Sequence, residues 1–329
     1  GFSGAPTCPL WQLRPLAESV TLTGRGMIQK TIEKANEYIP CEVLYGDTDS
    51  IMFQFKEAMD EETTFKKGEE VAEYVTKCFE NRGKRTIILE MEKIYTKYLL
   101  IDKKKYAGIC KEAIGDPGKM ETKGVLSAKR GKCPFVRKLY QSQLHNILFH
   151  PPEVALNDLD TSLSLLSDNK LPIQDYVQTA AINKDVDEFD SGRTLPSHMK
   201  AWKDQKEYDP GSETVLSDRI EYLTIRGKEK KCERGVALQR VIKEKLEPDR
   251  MHVFESFDNQ YSSDIAPYIK GACDITEKHK IKIELQMEGK RGQSSLDYFG
   301  KGKGVTQKKM KVNKLQREQG TLNLFKDKN

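Results

Sequence analysis

The spacing of hydrophobic residues changes along the chain, and the first 125 residues alternate between helical and strand-like patterns. Apolar residues at helical spacing (Leu13, Leu16, Val20 and Met27) predict a helix over 13–29 that closes near Gly24 and Gly26. Residues 41–55 predict two strands about a short polar turn, because apolar and polar side chains alternate on both sides of it. The same reasoning predicts a helix at 65–81 and further strands at 86–94 and 98–101.

Beyond about residue 124 the strand patterns become rare and helical spacing dominates. It predicts helices over 135–149, 173–182 and 235–246. The last part, residues 289–329, holds eleven Lys and Arg against three Asp and Glu and is rich in Gly and Gln. Such a composition buries too little apolar area to order itself, so we expect a flexible basic tail.

Composition excludes several classes of protein. A chain of 329 residues with 37% hydrophobic residues and net charge +5 has enough apolar side chains for a core and the length of about two domains. No apolar run approaches the roughly 18–20 residues that a membrane helix needs. The seven cysteines are scattered and form no Cys-x-x-Cys pair, which argues against a disulfide framework, a zinc ribbon or an iron–sulfur site. This usage suits a reducing, intracellular compartment.

The most distinctive local feature is the string Tyr45-Gly46-Asp47-Thr48-Asp49-Ser50 between the two strands of 41–55. Two carboxylates two residues apart at a hairpin end create negative charge of the kind that hard divalent cations such as Mg²⁺ prefer. Gly46 is expected to supply the turn conformation that a β-branched residue resists. On these residues alone an ordinary polar hairpin turn is the favoured interpretation, since Asp and Gly are common in turns.

A resemblance to a known family favours the metal-binding interpretation. The string Val43-Leu44-Tyr45-Gly46-Asp47-Thr48-Asp49-Ser50 is similar to the palm motif that carries metal-binding carboxylates in family B DNA polymerases. Further segments resemble that family in the same order along the chain, over residues 1 to about 136. They are Gly1-Phe2-Ser3-Gly4-Ala5, Ser19 to Arg25, Leu89 to Tyr95, Lys103 to Gly108, and Lys123 to Pro134 with Gly131 where the family has Asp. A looser match follows at Arg219-Ile220-Glu221-Tyr222.

The resemblance implies an α+β fold class in three parts. Residues 1–125 correspond to the C-terminal part of an antiparallel-sheet polymerase palm with helices, and 126–288 to a mostly helical thumb. Residues 289–329 are the disordered basic tail and lie outside the resemblance. The implied function is template-directed DNA synthesis in replication, with nucleotidyl transfer from dNTP to a primer 3′-hydroxyl by a two-metal mechanism. The Gly-Asp-Thr-Asp-Ser form resembles eukaryotic and large-virus members, which implies a nuclear or viral replication site.

The resemblance also assigns roles to individual residues. Asp49 is expected to bind both Mg²⁺ ions, and Asp47 to assist in the same patch as a second catalytic and metal-binding carboxylate. Glu90 and Glu92 share one face of a predicted strand, because strand side chains alternate, and would add charge beside the metals. A solvent-facing strand edge is the alternative for these two glutamates.

Basic residues are expected to hold primer-template DNA. The run Lys103, Lys104 and Lys105 would neutralise primer phosphates without reading sequence, and Tyr106 would pack against the sugar or the minor-groove edge. Lys123 and Arg130 are candidate thumb contacts to the duplex backbone. Without the resemblance, a triple lysine is more often a solvated surface loop.

Parts of the family's machinery have no counterpart in this sequence. We find neither its Asp-x-x-Ser-Leu-Tyr-Pro-Ser motif, which carries the other metal-binding Asp, nor the nucleotide-binding Lys and Arg of the fingers. The chain is therefore expected to be the C-terminal portion of a polymerase that needs an upstream half as partner and does not polymerise DNA alone. The alternative is a non-catalytic DNA- and clamp-binding subunit, or one half of a split polymerase.

The tail repeats the pattern Gln-x-x-Leu-x-x-Phe. It occurs at Gln293, Leu296 and Phe299 and again at Gln319, Leu322 and Phe325. Both resemble the peptide box by which replication proteins dock on a sliding clamp, with Leu and Phe on one side of a helical turn as an apolar plug. The alternative is that Leu and Phe pack the tail back onto the thumb.

Overall fold

The computed structural model describes residues 2–5, 12–80, 87–183, 195–209, 211, 218–227 and 231–289. The chain forms two compact units, Gly1–Ile283 and Glu284–Asn329. The boundary predicted at residue 125 falls inside the first unit, so the division into palm and thumb remains a prediction. In the second unit the described residues, 284–289, are the end of a helix.

The N-terminal portion, residues 2–125, combines helices with two antiparallel sheets. Its helices are α1 (Arg14–Tyr38) and α2 (Glu61–Cys78). One sheet is the hairpin of β1 (Cys41–Asp47) and β2 (Ser50–Phe55), in the register Asp47 opposite Ser50. The other holds β3 (Ile94–Asp102), β4 (Lys105–Lys111) and β5 (Lys119–Lys123) in that order. The predicted hairpin over 41–55 is thus confirmed.

Helix α2 shows why this portion is ordered. Asp60 caps its first turn by accepting a hydrogen bond from the Thr63 backbone N–H at 2.7 Å, which explains why the helix begins before the predicted residue 65. Val71 and Val75 on its inner face pack with Ala35 of α1 and Cys41 of β1 in a buried cluster. The helices therefore cover the base of the β1–β2 hairpin, and the residues of its turn are not part of this cluster.

Helix α1 departs from the prediction at its centre, since it does not close near Gly24 and Gly26 but continues to Tyr38. Thr31 and Ala35 in its second half are buried, and this packing offsets the roughly 1 kcal/mol that each mid-helix glycine costs. The first half is different: none of residues 14–26 is buried, and Val20 is 63% exposed.

The C-terminal portion, from residue 126, is mostly helical but also holds a small sheet. The helices are α3 (Pro134–Phe149), α4 (Pro152–Ser167), α5 (Ser197–Tyr208), α6 (Leu238–Glu244), α7 (Arg250–Asp264) and α8 (Ala272–Gly289). The antiparallel sheet contains β6 (Gln178–Ala181), β7 (Arg219–Thr224) and β8 (Gly235–Ala237) in the order β6–β7–β8.

Two predicted helices in this portion are wrong in part. The segment 173–182 forms a short 3₁₀ turn, Ile173–Tyr176, and then strand β6, because its backbone pairs with β7. The segment 235–246 begins as β8 before it becomes α6. In both cases pairing with β7, which is distant in sequence, overrides the local helical pattern. By contrast, the helix predicted over 135–149 is confirmed as α3.

Two kinds of core hold the C-terminal portion together. Trp202 and Met199 of α5 pack with Ile220 and Tyr222 of β7 in an apolar cluster. Between α3, α4 and α7 the core also contains polar groups, discussed below. The mixture of helices and antiparallel sheets confirms the predicted α+β class. No helix in the described part of the chain combines the length and apolar character needed to cross a bilayer.

Candidate active site

The turn of the β1–β2 hairpin presents the two predicted metal-binding carboxylates. Asp47 ends β1, Thr48 and Asp49 form a two-residue turn, and the Asp49 N–H donates to the Asp47 carbonyl at 2.6 Å. The turn conformation is not supplied by Gly46, which lies within β1 opposite Ile51. Instead Thr48 adopts φ +55°. A two-residue hairpin turn needs positive φ at its first central residue, so the left-handed residue here is the β-branched Thr48, contrary to the prediction.

Asp47 is paired with a lysine from a different hairpin. The Lys104 ammonium lies 2.5 Å from Asp47 Oδ1, and the Thr48 hydroxyl donates to the same oxygen at 3.1 Å. The hydrogen bond from Lys104 is the main reason that the pKa of Asp47 is lowered, and the charge of Lys123 lowers it further. Lys104 therefore lies beside this carboxylate, and Lys123 adds to the positive charge around it.

Asp49 differs from Asp47 although it stands two residues away. Its side chain is exposed, and within the described part of the chain its carboxylate accepts no hydrogen bond and forms no ion pair. One hairpin thus carries a carboxylate that already has a cationic partner and another that is available to a cation from solution.

Glu90 and Glu92 are not on a strand. The described part of the predicted strand 86–94 pairs with no other strand before β3 begins at Ile94, so the prediction is wrong for residues 87–93. Exposure still alternates there, and both glutamates are exposed. The Glu92 carboxylate lies 3.1 Å from the Lys93 ammonium. In the ranges that the structure describes, no three His, Cys, Asp or Glu residues converge as a metal site, so neither glutamate joins Asp47 and Asp49 in such a group.

Glu121 of β5 is a polar residue beside this segment that the sequence reasoning missed. Its carboxylate is 2.9 Å from the Lys93 ammonium and accepts a hydrogen bond from the Tyr95 hydroxyl at 3.1 Å. Burial favours its neutral form, but the bonds from Lys93 and Tyr95 outweigh burial and lower its pKa. Glu121 anchors the segment that precedes β3. No sequence signal points to it, because Lys93 is 28 residues away.

Tyr106 does not lie on the surface as a DNA contact requires. It is only 7% exposed and packs against Tyr45, Tyr95 and Tyr98, with ring centroids 6.3, 6.3 and 5.4 Å away respectively. The aromatic rings fill the space between the two hairpins, and the Tyr45 hydroxyl accepts the Lys104 backbone N–H at 2.9 Å. The structure therefore gives Tyr106 a packing role, and its placement does not support direct contact with a sugar or base edge.

The three consecutive lysines have three different environments. Lys103 is exposed, Lys104 pairs with Asp47, and the Lys105 ammonium lies 3.3 Å from a carboxylate oxygen of Asp264 in α7. The backbone of Gly124 lies directly against the turn that carries these lysines. Lys104 has φ +61°, and a Cβ placed on Gly124 would stand 2.0 Å from the Lys104 carbonyl oxygen. Only glycine fits at position 124, which itself has φ +66°.

The two remaining predicted DNA contacts lie on exposed positions. The Lys123 side chain at the end of β5 is 60% exposed, with its ammonium 3.8 Å from Glu121. Arg130 is exposed in the loop before α3, and its backbone carbonyl accepts a hydrogen bond from the Thr179 hydroxyl at 3.1 Å. Neither contact holds the cationic end of the side chain in a tight ion pair.

The same loop carries two further cations that the sequence reasoning did not single out. Lys129 and Lys132 donate to neutral side chains of α7, Gln260 at 3.4 Å and Ser256 at 2.8 Å. Burial lowers the pKa of Lys132, and the charge of Lys129 lowers it further. Neither ammonium has a carboxylate within 4 Å in the described ranges, so their positive charge is uncompensated.

The two tail boxes, at Gln293, Leu296 and Phe299 and at Gln319, Leu322 and Phe325, lie outside the described residues. Their role stays a prediction.

Comparison with known proteins agrees with this architecture. The family model of DNA polymerase family B matches residues 1–267. The DNA polymerase delta catalytic subunit of Candida albicans is 34% identical over 235 residues, which cover 69% of this chain and 22% of the relative. A DNA polymerase of Paramecium bursaria Chlorella virus NY2A is 34% identical over 174 residues, which cover 51% of this chain and 19% of the relative. The chain thus spans about a fifth of the length of these curated relatives.

A solved structure supports the fold. The family B DNA polymerase from the archaeon Pyrobaculum calidifontis superposes with a TM-score of 0.50 at 20% identity, over 83% of this chain and 30% of the archaeal one. Since the family model covers most of the sequence, the chain belongs to DNA polymerase family B.

Proposed function

We propose that this chain takes part in template-directed DNA synthesis as the C-terminal portion of a family B DNA polymerase, with residues 1–125 completing the palm and 126–288 forming the thumb. The observation that carries the proposal is the hairpin turn, where an exposed Asp49 with no partner among the described residues stands beside Asp47 in a chain of this family. The oxygen donors at this turn fit a hard divalent ion such as Mg²⁺ as part of its ligand set.

Asp49 and Asp47 have different tasks in this proposal. Asp49 would bind Mg²⁺, which when bound activates the primer hydroxyl and stabilises charge on the leaving pyrophosphate. Asp47 would assist in the same metal-binding patch, and its 2.5 Å ion pair also keeps Lys104 at the turn. Glu90 and Glu92 remain candidates for added negative charge, and for them the solvent-facing alternative fits their exposure equally well.

Primer-template DNA would contact the cations beside the hairpin. Lys103 and Lys104 lie on the turn between β3 and β4 and Lys123 lies at the end of β5, while Arg130 lies with Lys129 and Lys132 in the loop before α3. Lysine contacts to phosphate supply affinity without sequence preference. Since Lys129 and Lys132 have no carboxylate partner in the described ranges, we add them to the proposed DNA surface.

The further partners follow from the family. An upstream half would supply the remaining metal ligand and the dNTP-binding residues, and the two tail boxes would dock on a sliding clamp. Two tethered boxes would gain from effective concentration where a clamp offers several sites. The relatives are eukaryotic and viral polymerases, so we place the activity at a nuclear or viral replication site.

The test is extension of a primed template by this chain mixed with a separately produced upstream half, with Asp49→Ala in parallel. We expect Mg²⁺-dependent synthesis that falls by about two orders of magnitude or more in Asp49→Ala, because a ligand of the reacting metals is lost. Glu42→Ala is the matched control, since it removes an exposed carboxylate from the same hairpin. This chain alone is expected to give no extension. Full activity of Asp49→Ala would refute the proposed role.

One observation favours a second candidate, a non-catalytic DNA- and clamp-binding subunit. Asp47 and Asp49 are not joined by a third metal-binding residue in the described part of the chain. In the same experiment, no synthesis by the mixture together with tight binding of this chain to primed DNA and clamp would favour this candidate.

A further inference from the structure

Lys105 is bound differently from the lysines beside it. Its side chain is only 28% exposed, and its ammonium lies 3.3 Å from Oδ1 of Asp264, which is 159 residues further along the chain at the end of α7. A lysine held in this way by a buried carboxylate is not free to approach a DNA phosphate. Its position at the end of a basic run therefore misleads about its role.

The carboxylate of Asp264 occupies a fully built polar site. It is 3% exposed, and it accepts hydrogen bonds from the Tyr140 hydroxyl at 2.9 Å, from Gln260 at 2.8 Å and from the Ser263 hydroxyl at 2.9 Å. Burial opposes its ionisation, but these bonds and the contact with Lys105 outweigh burial and lower its pKa. Hydrogen bonds and a nearby cation both stabilise a buried ionised carboxylate, and Lys105 is the cation that lies within ion-pair distance of Asp264 in the described structure.

The ion pair completes the support of the β3–β4 turn. One side of the turn is held by the β1–β2 hairpin, through Tyr45 and Asp47. A second side rests on Gly124, whose lack of a side chain admits the Lys104 carbonyl. The third attachment is Lys105 to Asp264, and it is the one that reaches α7.

We propose that Asp264 is a positioning residue: it fixes Lys105, and through it the turn bearing Lys103 and Lys104, while Lys105 itself contributes no charge to DNA phosphates. The inference rests on the proposed function only in taking that turn as part of the DNA surface. Asp264 thereby couples α7 of the C-terminal portion to the carboxylate hairpin without contacting substrate.

Amide hydrogen exchange of the full chain without DNA tests the positioning. Asp264→Asn and Lys105→Met each remove the ion pair, from opposite sides, and we expect exchange in residues 102–105 to rise by about tenfold in both. The matched control is Lys111→Met, because Lys111 ends the same strand in an ion pair with Glu61 at 2.5 Å; it should leave the turn unchanged. Melting curves identify a variant that fails to fold. Wild-type exchange at the turn in the folded Lys105→Met variant would overturn the proposal.

The salt dependence of binding to primed duplex tests the assignment of charge. Each phosphate contact contributes about 0.9 to the slope of log K against log salt concentration. We expect Lys103→Met to reduce that slope by about one such step, and Lys105→Met to weaken binding while leaving the slope unchanged. An equal reduction in both variants would overturn the inference. Failure of the wild-type chain to bind DNA would count against the proposed function instead, and the exchange experiment would still decide the role of Asp264.

Discussion

The end of the β1–β2 hairpin and the space between α3, α4 and α7 use polar residues in opposite ways. At the hairpin, charges are exposed: Lys104 pairs with Asp47 in solvent, and Asp49 is left without a partner in the described residues. Between the helices, Gln143 is fully buried; its amide donates to Asp158 at 2.8 Å and to the Ala155 carbonyl, and its carbonyl accepts from the Tyr261 hydroxyl at 3.1 Å. The first region keeps its charges accessible to solvent, while the second region satisfies its polar groups by hydrogen bonds within the protein.

The difference indicates what each region is for. Exposed ion pairs contribute little to folding because water and salt screen them, so charges kept at a surface turn are best explained by what they bind. Buried polar groups are costly unless they are paired, so a network such as that of Gln143 fixes one arrangement of helices. Stability and chemistry are therefore expected to respond to different mutations.

The largest effect on stability is expected at Asp249. Its carboxylate pairs with buried Arg234 at 2.5 Å and caps α7 by accepting the His252 N–H at 3.1 Å. Asp249→Ala leaves a buried guanidinium without this partner, and we expect the free energy of unfolding to fall by about 3–5 kcal/mol. Urea unfolding measures it. The matched variant Asp47→Ala should unfold like wild type, and similar losses in both variants would remove the distinction between the regions.

A smaller loss is expected at Gly124. An alanine there must adopt φ +66° and would meet the Lys104 carbonyl, so we expect a cost of at least about 1–2 kcal/mol from the left-handed conformation. The turn must also shift, and affinity for primed DNA should fall with it. Gly115→Ala is a suitable control, because Gly115 has φ +80° but open space around its Cβ position. It should show the conformational cost without the loss of DNA binding. Equal DNA affinity in both variants would contradict the prediction.

The smallest effect is expected at Thr48. Glycine adopts φ +55° without the strain that a β-branched residue carries there, so Thr48→Gly should change the free energy of unfolding by no more than about 1 kcal/mol, in the stabilising direction. The experiment compares melting curves of the full chain. The Thr48 hydroxyl donates to Asp47 at 3.1 Å. Clear destabilisation would mean that this hydrogen bond stabilises the hairpin by more than the left-handed backbone conformation of Thr48 destabilises it.

Local patterns in the sequence predicted those elements whose cause is local. The hairpin over 41–55 and helix α3 follow from period and turn residues, and they were placed nearly to the residue. Strand β6 was missed because β7, 40 residues away, decides its conformation. Helix α1 was ended too early because the packing of Thr31 and Ala35 is tertiary.

The candidate site divides in the same way. The resemblance located Asp47 and Asp49, and the structure places both at one turn. It did not reveal that Tyr106 is buried, that Glu121 anchors Lys93, or that Lys105 is held by Asp264, because each depends on contacts between distant segments. In the sequence, a run of lysines indicates a uniform basic patch. The folded structure distinguishes these lysines, because each has different neighbours.

The first half of α1, in which no residue is buried, allows association of this chain with another polypeptide to be measured. None of the helical residues 14–26 is buried against the described parts of the chain, and a helical stretch of this length with little tertiary packing is only marginally stable in water. Its hydrogen bonds should therefore open by local fraying far more often than those near Ala35. Any polypeptide that covers the exposed Leu16 and Val20 will slow that opening. The rate of amide hydrogen exchange in residues 14–26 therefore reports association directly, whether or not the assembled complex is active.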